Sequence, residues 1–264
     1  MGFVKSAAEI REIQAALARP RFVNSQMIVV TFLTREETVA EILPPGFEPT
    51  AEPRVTAQLG TWQSNCCGDF NGGAVTIAAR YGELEGEYAL CMYMDNDQPT
   101  LYGRDLFGEP KKIATASIFT TPTGYRGYIE RRGVRLVELE VEGAEDVGPA
   151  RVSANNFNIK ARPAADGVGL QEDALVTCAV FENDIRANHE GTGKVRLRGT
   201  RHDPLDEIEV VEVLSGRQIE VDMEARTSVV GTIPAADYEP YFYGRGADDW
   251  SALDTSGGSL PVSA

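Results

Sequence analysis

Lysine is scarce in this 264-residue chain: Lys5, Lys111, Lys112, Lys160 and Lys194 are the only five among 25 Lys and Arg. Histidine is scarcer, with His189 and His202 alone, and the four cysteines, Cys66, Cys67, Cys91 and Cys178, have no framework spacing. A zinc site and a disulfide framework are therefore not expected. Adjacent cysteines rarely meet the geometry of a disulfide, so Cys66 and Cys67 read as small apolar fillers. A reduced, cytoplasmic protein is the simplest expectation. No apolar run is long enough to span a bilayer, and the first residues, MGFVKSAAEI, lack the apolar middle of a signal peptide. Positive charge is also short: the formal net charge is −15. Such a surface repels nucleic acid and anionic membranes, so neither is expected as a partner. It says little about a small anionic substrate, because a local pocket can oppose the net field.

What is present suffices for one large core, with 42% hydrophobic residues, 26 Gly and 14 Pro. Ser6 and Glu9 fit a capping box for a helix to Arg19, with Ile10, Ile13 and Leu17 on one face and Pro20 after it. Gln26 to Leu33 reads as a strand, and Thr34 with Glu37 as a second capping box for a helix to Leu43. Strands are expected at 54–62 and 74–81, around the loop SNCCGDFNGG, then at about 112–120, 125–131 and 133–142. Arg126, Arg131, Arg132 and Arg135 interleave with glutamates there, as a solvated face with cross-strand pairs. Further strands are expected at 175–181, 208–213 and 228–233. Many strands at short spacing predict an α+β fold with a mostly antiparallel β-sheet and a few short helices. One domain is expected over residues 1–243. Residues 244–264, rich in Gly, Ser, Ala and Asp, read as a flexible tail.

The chemistry concentrates in Tyr88 to Ala116, YALCMYMDNDQPTLYGRDLFGEPKKIATA. An apolar strand runs into Asp95-Asn96-Asp97, a short helical segment follows from about Pro99 to Leu106, and Pro110 precedes two adjacent lysines. Burial and a neighbouring like charge both disfavour an ammonium ion, and a neutral amine is a nucleophile toward carbonyl carbon. The pattern Met-Tyr-Met-Asp-Asn, Gly-Arg-Asp-Leu, Pro-Lys-Lys resembles the Schiff-base signature of the acetoacetate decarboxylase family. So do Asn156-x3-Lys160-x2-Pro163 with Asp166-Gly167, and His202-Asp203-Pro204-Leu205. The resemblance covers about Gln26 to Glu239. It implies a sheet closing into a cone-shaped barrel, a homo-oligomer, and no metal or organic cofactor. It makes Lys111 the imine-forming residue and Lys112 its assistant.

The resemblance also implies substrate-binding residues and marks two departures. Where the family has an arginine entering its first long strand, this chain has Ser25. Where the family has a glutamate after the proline loop, it has Gln58. Asp69 stands near the place of a family glutamate, with a turn aspartate as the equal alternative. Arg104, in the Gly-Arg-Asp-Leu segment, is a further candidate, as are Tyr238, Tyr241 and Tyr243, since a phenol can relay protons. Packing in the core is the competing reading for each tyrosine, and Tyr241 is the one placed with the catalytic groups. Two lost charges point away from acetoacetate decarboxylation and toward an aldolase-dehydratase-type lyase, joining pyruvate or a similar keto acid to an aldehyde. Decarboxylation of acetoacetate or another β-keto acid is the alternative. A non-catalytic small-molecule-binding barrel is the reading from another class.

Overall fold

The computed structural model describes residues 2–246. Helix α1 (Ala7–Ala18) begins at the expected capping box, with both Ser6 and Glu9 contacts made. Its apolar stripe stays open to solvent at Ile10 and Ile13. Helix α2 (Glu36–Ile42) begins without the second expected box: Arg35 is the N-cap and bonds no backbone through its side chain. Thr34 is instead buried, with its Oγ1 unpartnered.

Seven strands form a closed ring. In chain order they are β1 (Arg21–Leu33), β3 (Arg54–Ser64), β4 (Gly68–Tyr81), β5 (Leu84–Met94), β10 (Ala150–Lys160), β11 (Ala174–Leu197) and β12 (Glu212–Ile233). Around the barrel the order is β10-β5-β4-β3-β1-β12-β11, and β11 closes onto β10. A short β2 (Phe47–Pro49) pairs with β4 and β6 (Lys111–Ile113) with β5. A meander of β9 (Val134–Asp146), β8 (Gly124–Arg131) and β7 (Thr115–Thr121) extends from the far half of β11.

Long strands make closure possible. The strand expected at 175–181 runs on to Leu197, giving 24 residues that pair with β10 at one end and β9 at the other. The strand expected at 208–213 is corrected: Ile208 caps a 3-10 turn and only Glu212 and Val213 are strand, the start of the 22-residue β12, which runs through a polar middle to the expected 228–233. In that middle Ile219, Val221 and Met223 alternate with Gln218, Glu220 and Asp222, the period of a half-buried strand. Only β10–β5 and β5–β6 are parallel. The β5–β6 pair needs a crossover, supplied by α3 (Asp97–Tyr102) and a π-helical turn, Gly103–Phe107.

At the far end, α4 (Ala235–Tyr241) runs into a second π-helical turn, Phe242–Gly246, that includes Gly244 and the buried Arg245. The remainder of the expected tail, from residue 247, lies outside the described residues. No helix among the described residues is long and apolar enough to cross a membrane.

Candidate active site

Strand β6 follows directly from the crossover, and its three residues set the site. Successive side chains on a strand point to opposite faces. Lys111 lies beside Met92 of β5 and Lys112 beside Tyr93. Met92 and Lys111 both line a cavity of about 310 Å³ within the barrel. Lys112 lines a different cavity, of about 490 Å³, together with Tyr93, Asp203 and Tyr241.

The two amines meet different carboxylates. Lys111 Nζ lies 2.6 Å from Glu109 Oε2, and both side chains are buried. Lys112 Nζ donates to Asp203 Oδ1 at 2.9 Å and to the His202 carbonyl at 2.6 Å. Asp203 also accepts from Tyr93 and from Arg131, at 3.0 and 2.9 Å. The expected pair of mutually repelling ammonium groups is thus corrected. The strand's alternation turns Lys112 away from Lys111, into a buried network centred on Asp203. Arg131, expected on a solvated face, belongs to that same network and is 6% exposed. Its neighbour Arg135 behaves as expected and pairs with Glu130 and Glu138; Lys194 of β11 pairs with Glu142.

The π-helical turn fits tightly over Lys111. A Cβ built on Gly103 would stand 2.6 Å from Lys111 Nζ and would overlap Glu109 Oε2. Glycine at this position is what lets the backbone approach the amine–carboxylate pair. The turn is closed by Gly108 at φ +81, against the backbone of Lys160, where no Cβ fits. Thr177 Oγ1 donates to the Phe107 carbonyl at 2.6 Å, and the Glu109 N–H to the Gly103 carbonyl at 3.1 Å. Arg104 donates to the Lys111 carbonyl at 3.0 Å. That bond ties Arg104 to the backbone of the lysine.

The cavity has a polar and an aromatic part. Gln58 lines it, as expected, with Thr76, Asn156 and Glu87. Glu87 is a carboxyl the sequence reading missed. Desolvation holds its pKa above the ordinary 4.5, while a hydrogen bond from Thr76 Oγ1 at 2.8 Å opposes that shift. The apolar wall includes Met27, Met94 and the stacked rings of Trp62 and Phe70, with centroids 5.3 Å apart.

Several expected site residues lie elsewhere. Ser25 is fully buried with its Oγ unpartnered and is not part of the cavity wall. Asp69 is not in a loop: β3 and β4 continue to Ser64 and Gly68, which puts Asp69 opposite Gln63 and open to solvent. Its place as the carboxylate beside the lysine is taken by Glu109, whose signal was its position two residues before Lys111. The tyrosines stand on the other side of the barrel wall. Tyr238 is buried and its hydroxyl accepts from Arg245, Tyr241 stacks on Tyr238, and Tyr243 packs edge-on to Phe242. The core-packing alternative describes them.

The cysteines are only partly fillers. Cys67 is buried beside Trp62 and Met27. The neighbouring Cys66 thiol is pulled down to about 6, chiefly by the hydrogen bond from Cys67, with smaller contributions from Ser64, Tyr102 and the charge of Lys111.

The site is thus a closed barrel with one buried lysine in its cavity and a carboxylate against the amine. The chain belongs to the acetoacetate decarboxylase family, whose model, "Acetoacetate decarboxylase (ADC)", matches residues 9–232. It is 26% identical over 215 residues to the acetoacetate decarboxylase of Burkholderia cenocepacia, covering 77% of this chain and 84% of that one. Its fold is similar to the acetoacetate decarboxylase of Legionella pneumophila, with a TM-score of 0.73, 20% identity, and coverage of 81% and 87%. It is also similar to the enduracididine biosynthesis enzyme MppR, complexed with the condensation product of pyruvate and imidazole 4-carboxaldehyde. That match has a TM-score of 0.66, 17% identity, and coverage of 83% and 90%.

Proposed function

We propose that this protein is a Schiff-base-forming lyase, and that it joins a 2-keto acid to an aldehyde with loss of water. The observation that carries the reading is the buried Lys111–Glu109 pair at the wall of a cavity with an aromatic end.

Glu109 is placed to take a proton from Lys111. The neutral amine then adds to the keto carbon, Glu109 returns its proton to that oxygen, and departure of the oxygen as water leaves an iminium ion beside a Glu109 carboxylate. The cation withdraws electrons from the adjacent carbon, and Glu109 removes a proton there to give an enamine. The enamine carbon bonds to the carbonyl carbon of the aldehyde, whose oxygen takes a proton. Glu87 supports that step, because burial favours its protonated form. Loss of the new hydroxyl as water gives a conjugated iminium, and hydrolysis frees Lys111. The volume, about 310 Å³, falls near the lower end of the roughly 300–1,000 Å³ of pockets for drug-sized ligands. That leaves room for an acceptor beside a three-carbon acid, with Trp62 and Phe70 as a surface for a flat ring.

Decarboxylation is the second reading, favoured by the Burkholderia relatives named for it. There the same iminium ion takes up the electrons of the breaking bond to a departing carbon dioxide, and the enamine is protonated.

Side-by-side assays separate the two. Pyruvate with a panel of aromatic aldehydes is followed by ultraviolet absorbance for a conjugated product, and acetoacetate alone by carbon dioxide release. Condensation without brisk release is the expected result. Brisk release with no condensation product selects decarboxylation, and neither signal contradicts both.

A further inference from the structure

The sheet's register sets one row of residues around the cavity wall. Lys111 pairs with Met92, Met92 with Ala74, Ala74 with Gln58, Gln58 with Val29, and Val29 with Arg217 of β12. All six side chains line the cavity. Arg217 is five strand steps from Lys111, about 4.8 Å each along the wall, and both residues line the same cavity.

Arg217 has no ion-pair partner among the described residues. Its Nε and Nη2 both donate to one atom, the side-chain oxygen of the buried Asn188, the former at 3.2 Å. That contact fixes the plane of the guanidinium while using two of its five N–H groups. The cavity's two carboxyls do not neutralise it: Glu109 is taken by Lys111, and Glu87 is hydrogen-bonded by Thr76 and desolvated. A half-buried guanidinium held by a neutral amide and facing a cavity is a fork for a planar anion.

We propose that Arg217 binds the carboxylate of the substrate while Lys111 engages its carbonyl. The assignment rests on the proposed keto-acid chemistry for its role, and on geometry alone for its anion site. It gives this cavity a carboxylate-binding cation from β12, whereas Ser25 on β1 offers none. Both residues adjoin the same seam, Ser25 opposite Val221 and Val29 opposite Arg217.

The test separates this proposal from imine formation. Purified protein is titrated calorimetrically with butyrate, which has no carbonyl to condense, and with butyramide, its neutral twin. Wild type and Lys111→Met should both prefer butyrate. Arg217→Met should lose tenfold or more in butyrate affinity with butyramide unchanged. Arg217→Lys, which keeps the charge and loses the fork, should lie between them and guards against a folding failure. Equal butyrate affinity in wild type and Arg217→Met overturns the proposal, as does a wild type that does not distinguish butyrate from butyramide. Failure of Lys111 to form an imine would leave these titrations unaffected and would strike only the reading on which the substrate's identity rests.

Discussion

Lys111 and Lys112 are adjacent in the chain and end on different carboxylates, Glu109 at 2.6 Å and Asp203 at 2.9 Å, because β6 turns them to opposite faces. One amine faces the cavity. The other is a strut of the barrel wall, buried with Arg131 and Tyr93 around Asp203.

Removing Asp203 should therefore act on stability. Asp203→Asn removes the carboxylate that buried Lys112 pairs with and that Arg131 donates to, and breaking a buried pair costs about 3–5 kcal/mol. Urea unfolding should show a loss of that order. A midpoint within experimental error of wild type would contradict the strut role.

Gly103→Ala separates site geometry from backbone preference. Gly103 has helical dihedrals, φ −67 and ψ −42, which alanine adopts freely. The conflict is with Lys111 Nζ, 2.6 Å from the added carbon, and with Glu109. The substitution should cost about 1–3 kcal/mol from overpacking and lower turnover about a hundredfold through misplacement of the amine. Unchanged turnover would mean that the pair moves aside without consequence.

Glu87 should make stability depend on pH in a defined direction. Its folded-state pKa lies above the ordinary 4.5 because of desolvation. Below 4.5 both folded and unfolded forms hold the proton and its contribution is fully present. As pH rises the unfolded chain loses the proton first, and stability falls until the folded pKa is passed. Glu87→Gln should match wild type in acid and exceed it at higher pH. Parallel urea midpoints across the range check this; a constant difference would refute it.

The pattern around Lys111 was legible because the groups lie within a short stretch, and Gln58 because the family resemblance marks its position. The partition of Lys111 from Lys112 was latent in strand alternation, yet a dibasic pair reads as one feature until the strand is placed. Glu87 and Arg217 reach the cavity from β5 and β12, and only barrel closure sets their register with Lys111. The alternation Arg217, Ile219, Val221, Met223 carried the signal for Arg217's inward face. The interleaved Glu220 and Asp222 mask that signal, because they give the segment the composition of a surface. Asp69 and the tyrosines misled for the converse reason: chemically apt residue types stood near the motif in sequence or family order, and the wall separates them from it.

The central claim is that Lys111 forms an imine with a keto acid. Incubation of the protein with pyruvate, reduction with borohydride and peptide mapping by mass spectrometry test it directly. The account predicts a reduced adduct on Lys111, lost in Lys111→Met and retained in folded Lys112→Met. An adduct confined to another lysine, or none with any keto acid tried, would contradict it.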